Sequence, residues 1–197
     1  MRVLGVIGSH TKGGNTEVLV REALNAAKNE GAEIEMIPLR DKQIADCDGC
    51  RTCIKTGKCR IQDDMQEIYE SLLRADGIIV GSPCYFMSVT GICQCFINRT
   101  FSLFANPIPQ VGKPKLSRLK GKVGGAVAVG QRRGITRTLF TLHAFLSFHS
   151  ILEPHPGAMA MARDWRVGGI REQDEVGMEL SRELGKEIVK FLRKLEK

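Results

Sequence analysis

Four cysteines stand at Cys47-x2-Cys50-x2-Cys53-x5-Cys59, which gathers four thiols into one short segment. Three thiols at two-residue spacing wrap three corners of an iron-sulfur cubane, and a fourth after five more residues closes the last corner. Zinc also accepts four thiolates, but its usual sites draw on two well-separated pairs, so the spacing favours a [4Fe-4S] cluster over zinc or free thiols. Cys93 and Cys95 lie in an apolar helical stretch and read as small core residues, while Cys84 falls in a different loop.

A second chemistry is written in three loops. Gly8-Ser9-His10-Thr11-Lys12-Gly13-Gly14-Asn15-Thr16 follows the first apolar run and precedes the first helical period. Backbone N–H groups and the positive end of a helix dipole bind anions there. The hydroxyls of Ser9, Thr11 and Thr16, the Asn15 amide and the freely turning Gly14 suit a phosphate, which His10 would also reach. The stretch lacks the Gly-Lys-Ser/Thr of a P-loop and the Gly-x-Gly-x-x-Gly of a dinucleotide site, which disfavours ATP hydrolysis and conventional NAD binding. A Gly/Ser turn with an ordinary N-cap is an equal reading of these residues taken alone, and their position after the first strand decides for the anion.

In Gly81-Ser82-Pro83-Cys84-Tyr85-Phe86-Met87-Ser88 the proline sets the backbone and Tyr85 and Phe86 offer aromatic surface for a flat ring. Pro83, Cys84, Tyr85, Phe86 and Ser88 are candidates to carry it, with backbone groups facing the pyrimidine edge of an isoalloxazine. Gly130, Gln131 and Arg132, followed by Arg133-Gly134, form a third loop whose cations would favour an anionic reduced flavin.

Positioning these loops requires a particular scaffold. Short apolar runs at 3–7, 34–39, 77–80, 123–129 and, more weakly, 158–162 alternate with helical stretches at 16–29, 64–75, 91–104, 135–148 and 175–195. This order predicts an α/β, doubly wound, five-stranded parallel sheet. The three loops then share the carboxyl edge of the sheet, where such folds bind ligands. Asp64 followed by Glu67 resembles a capping box, and Gly31 suits a helix stop. The long irregular segments at 40–63, 105–120 and 163–173 are expected to be functional, the first as the cysteine-bearing insertion in a single domain spanning 1–197.

The chain has 197 residues with 43% hydrophobic and 26% charged, enough to bury a core without disulfide or metal support. Any metal is therefore expected to serve function. No run approaches the ~20 apolar residues of a membrane span, and the apolar run after Met1-Arg2 is too short for a signal segment. A cytoplasmic protein is expected, and reducing surroundings turn clustered cysteines toward metal or redox chemistry. The net charge of +7 invites acidic partners. Yet the densest basic stretch, Lys113, Lys115, Arg118, Lys120 and Lys122, accompanies no nucleic-acid motif. His10, His143, His149 and His155 are scattered and partner no nucleophile, so no acid-base residue is assigned.

Together these residues resemble the iron-sulfur flavoprotein family, within the flavodoxin-like NADPH-dependent FMN reductase group. The resemblance rests on the loop ending Gly14-Asn15-Thr16, the cysteine motif, Asp63-Asp64-Met65, Gly81-Ser82-Pro83 and Tyr85-Phe86, and so covers most of residues 1–100. The second half agrees in element order, but reads Gly134-Ile135-Thr136-Arg137 where relatives continue with a Gly-Gly-Gln-Glu-like stretch. The resemblance implies FMN at Ser9 to Thr16 and Pro83 to Ser88, and a [4Fe-4S] cluster on the four motif cysteines. It also implies homodimers or homotetramers and an anaerobic physiology. The expected function is electron transfer between a one-electron carrier such as ferredoxin and small acceptors, namely oxygen, peroxide or quinone-like molecules. The alternatives are an NAD(P)H-dependent FMN or quinone oxidoreductase and a redox-sensing regulator.

Overall fold

The computed structural model describes residues 1–104, 116–164 and 166–196. Its strands are β1 (Arg2–Ile7), β2 (Glu33–Pro38), β3 (Gly77–Pro83), β4 (Val123–Gly130) and β5 (Ala158–Met161). They pair in parallel in the order β2-β1-β3-β4-β5. The three central strands are almost wholly buried, as continuous apolar runs must be when helices cover both faces of a sheet. The edge strands β2 and β5 keep exposed positions.

The long helices are α1 (Asn15–Asn29), α3 (Met65–Arg74), α4 (Gly91–Arg99), α5 (Ile135–Phe148) and α7 (Glu175–Leu195), with short α2 (Thr52–Thr56) and α6 (Ile170–Gln173) between them. Period-two alternation divides the core. Val3 and Ile7 of β1 pack under α1 and α7 with Leu24, Leu184 and Ile188. Leu4 and Val6 pack under α3, α4 and α5 with Leu72, Phe96 and Leu146. The strand order reverses at β1 and β3, which opens a crevice beyond their carboxyl ends.

Three local expectations change. β3 runs on through Gly81, Ser82 and Pro83, which pair with Val127, Ala128 and Val129; the turn-forming composition is overridden by the ladder to β4, and the proline sits at the strand end. The helix at 91–104 breaks after Arg99 into a 3₁₀ segment, Thr100–Phe104, where the Thr100 hydroxyl donates back to the Ile97 carbonyl at 2.6 Å. Asp64 does not cap α3. Its carboxylate accepts from the Gln43 N–H at 2.7 Å, and Asp63 instead accepts from the Met65 N–H at 3.1 Å. Gly31 does end α1, at φ +90°.

Most of the expected 105–120 loop, with Lys113 and Lys115, lies outside the described residues. Among those described, no helix is long and apolar enough to cross a membrane.

Candidate functional site

A cavity of about 450 Å³ opens at the carboxyl ends of β1, β3 and β4. That is within the range of small-molecule and cofactor sites. Ser9, Thr11, Gly14, Asn15 and Thr16 form one side, Pro83, Cys84, Tyr85 and Phe86 another, and Gly130, Gln131 and Arg132 a third. Three segments far apart in sequence thus meet around one space.

The first side is the loop that leads into α1. Gly14 precedes α1 and no side chain caps the helix, so first-turn N–H groups remain for a ligand. Ser9 Oγ accepts from the Thr11 N–H at 3.2 Å, which rounds the loop and leaves the hydroxyl proton free to donate. Glu17 accepts from the Gly13 N–H at 2.9 Å and holds the loop from below.

The second side is a strained turn. Tyr85 and Ser88 exchange backbone hydrogen bonds at 2.9 and 3.0 Å, with Phe86 at φ +48° and Met87 at φ +66° between them. Two consecutive non-glycine residues in the left-handed region are costly and tend to persist at ligand sites. Ser88, named as a ring contact from sequence, does not line the cavity; it closes this turn, and its carbonyl accepts from Thr138 Oγ1 at 3.0 Å. The turn leaves the Phe86 ring fully exposed at the cavity mouth.

Gly134, at φ +86°, lets the third loop close on the second: a Cβ there would meet Cys84 Sγ at 2.7 Å and Met87 Cα at 2.8 Å. Arg132 and Arg133 both line the cavity, and neither makes an ion pair among the described residues. Residues absent from the sequence reading also line it: Asp164, Arg166 and Val167 from the loop after β5. Their signal was the length of the 163–173 loop. Arg166 is held by Asp164 at 2.9 Å and Glu172 at 3.1 Å.

A separate hollow of about 50 Å³ is lined by Cys47, Cys50, Cys53 and Cys59. Gly49, Arg51 and Gly57, all at positive φ, turn the chain so that its thiols face one space. Cys53 sits on α2. Burial, then the neighbouring Cys59, Cys47 and Cys50, push the Cys53 thiol up, as four gathered thiolates must repel. Hydrogen bonds from Thr52 hold Cys50 below the usual thiol value. No group of three or more His, Cys, Asp or Glu side chains among the described residues closes on a point as a single ion requires.

The neck of the cysteine segment is stapled by Arg99, whose buried side chain reaches both Asp63 oxygens, at 2.6 and 2.9 Å, and the carbonyls of Ala45 and Ile61 at 2.8 and 3.3 Å. α4 connects the two sites. At its start Thr90 Oγ1 donates to the Gly8 carbonyl at 2.5 Å, beside the anion loop, and Arg99 is its last residue. The cavity and the hollow share no lining residue.

Of the histidines, His149 is a satisfied core residue between Thr100 and Ser117, and His143 pairs with Glu153. Cys93 is fully buried, and burial pushes its thiol up to about 12.

A family model described as NADPH-dependent FMN reductase matches residues 1–166. An iron-sulfur flavoprotein of Methanocaldococcus jannaschii is 38% identical over 100% of this chain and 100% of its own length. The chain belongs to the iron-sulfur flavoproteins of the NADPH-dependent FMN reductase family. Membership makes it a flavin-dependent oxidoreductase. Solved structures support the fold alone at their low identities. One is RosB with bound 8-demethyl-8-formylriboflavin-5'-phosphate, with TM-score 0.76, 17% identity, and coverage of 100% of this chain and 80% of that one. Another is a flavodoxin from the domain Archaea, with TM-score 0.63, 14% identity, and coverage of 98% and 99%.

Proposed function

We propose that this iron-sulfur flavoprotein transfers electrons between a one-electron carrier such as ferredoxin and small acceptors, namely oxygen, peroxide or quinone-like molecules. FMN is assigned to the cavity at the sheet edge, and a [4Fe-4S] cluster to Cys47, Cys50, Cys53 and Cys59. The observation that carries this reading is that one chain builds two separate concavities, one at the sheet edge lined by Ser9, Asn15, Thr16, Tyr85 and Phe86 and one lined by four cysteines. When bound, a flavin supplies one- or two-electron chemistry and such a cluster supplies single-electron exchange.

The protein's own residues have distinct tasks. Ser9, Thr11, Asn15, Thr16 and the uncapped start of α1 hold the phosphate. Pro83 to Phe86 bear the ring, and Gly130 and Gln131 approach its polar edge. Arg132 and Arg133 place positive charge where reduction adds negative charge. The +7 net charge attracts an acidic carrier. Phe140 and Phe148, each 67% exposed on α5, support assembly as a homodimer or homotetramer, and the expected location is the cytoplasm.

The family description favours a second reading, direct reduction by NADPH. Anaerobic stopped-flow spectroscopy of the wild type and Cys53→Ala separates the two. Electron transfer from a one-electron carrier predicts that reduced ferredoxin outpaces NADPH and NADH, and that the substitution removes the advantage. Fast NADPH reduction indifferent to Cys53 would establish the nicotinamide-dependent reductase instead.

A further inference from the structure

Arg99 lines the cysteine hollow from the protein side. It is 1% exposed, the largest fully buried side chain among the described residues. Its guanidinium is nearly saturated: Nη1 serves Ala45 O and Asp63, and Nη2 serves Ile61 O and Asp63. Nε alone is buried with no partner among the described residues. A buried charged group with an idle N–H is a position that native folds avoid unless something accepts from it. Asp63 and the two carbonyls are already engaged at the other nitrogens. Of the hollow's other acceptors, Asp48 is engaged by Arg60 and the Cys50 N–H, which leaves the Ser102 hydroxyl and the four sulfurs.

Resting on the cluster assignment above, we propose that Arg99 donates its Nε–H to a sulfur held in the cysteine hollow and raises the reduction potential of the cluster there. Two effects act in the same direction. A hydrogen bond to sulfur and a nearby fixed cation both stabilise the more negative, reduced state of an iron-sulfur cluster. Asp63 tempers the second effect, because its bidentate pairing offsets part of the guanidinium charge. Burial opposes the charge on Arg99, but the hydrogen bonds to Asp63 outweigh it and hold the guanidinium protonated. The planar fork matters: lysine can keep the charge but cannot serve Asp63, two carbonyls and a sulfur from fixed positions.

The test uses the full chain, purified anaerobically, with iron, sulfide and flavin counted and the midpoints of cluster and flavin titrated separately by EPR and absorbance. In Arg99→Lys the reduced-to-oxidised cluster ratio at fixed potential falls about tenfold, about 59 mV for one electron. The flavin midpoint stays in place. In Asp63→Asn, where Arg99 and its idle N–H remain and the compensating charge is gone, the cluster midpoint moves the other way. A clamp without electronic influence gives a different result: less iron is bound, but the loaded fraction titrates like the wild type in both variants, and that outcome overturns the inference. Wild type free of iron and sulfide would instead overturn the cluster assignment on which it rests.

Discussion

Arg40 donates to Glu17 at 2.8 Å, joining the start of the cysteine-bearing segment to the first turn of the helix behind the anion loop. Glu17 is buried and also accepts from the Gly13 N–H and from Arg21. A carboxylate that would otherwise repel a phosphate is thus neutralised by two cations while its oxygen holds the loop backbone. Burial works to raise its pKa, but the Gly13 N–H, Arg21 and Arg40 prevail and lower it.

Glu17→Gln is expected to cost the flavin-free protein about 2 kcal/mol, the scale of a hydrogen bond to a buried charged group. A lowered folded pKa makes this contribution full above the unfolded glutamate value and lost as pH falls through the folded value. Thermal melts of the two proteins should therefore converge in acid. A gap that persists at low pH would show that packing, and not charge, carries the effect.

Cys50→Ala should abolish the cluster and leave FMN in place, because cavity and hollow have no residue in common. Iron, sulfide and flavin contents measured on the same folded sample check it. Equal loss of flavin would mean that the two sites are one unit.

Asn15→Ala should weaken FMN by about 1 kcal/mol, roughly fivefold in Kd, if one neutral hydrogen bond is lost. Asn15 also accepts from the Ile170 N–H at 3.2 Å, which ties the segment after β5 to the loop before α1. Limited proteolysis in that loop should rise in the same variant. Riboflavin lacks the phosphate, so a comparable loss of riboflavin affinity would remove the phosphate assignment.

His149 should make stability fall in mild acid. Thr100 Oγ1 donates to the Ile97 carbonyl and so accepts from His149 Nε2 at 2.9 Å, while Ser117 accepts from the Leu119 N–H and donates to Nδ1 at 2.6 Å. The ring is satisfied only when neutral, and burial pushes its pKa down to about 4. The unfolded chain takes up a proton near pH 6.5 that the folded chain refuses, so stability declines from there toward pH 4 by up to about 1.4 kcal/mol per pH unit. Denaturant melts across this window should show the slope in the wild type and lose it in His149→Gln.

The sheet and the gathering of the four motif cysteines around one hollow were legible in the residue order. Continuous apolar runs such as Ile78 to Val80 become buried central strands because both faces must be covered, and four cysteines within one short segment cannot avoid one another. The place of the loop Gly14-Asn15-Thr16 between a strand and a helix was legible as well, a purely local relation. Local signals misled where a partner distant in sequence offered more. Gly81, Ser82 and Pro83 read as a turn but joined the ladder to β4, and Asp64 read as a cap but took the Gln43 N–H. Tertiary structure alone brought Asp164 and Arg166 to the cavity, because a loop's landing place depends on the sheet order and not on its own composition. It alone also set Arg99 against the cysteine hollow with one N–H to spare. A buried arginine reads in sequence like any basic residue on a helix, and only the packing of α4 against the 40–63 segment decides which groups its fork can reach.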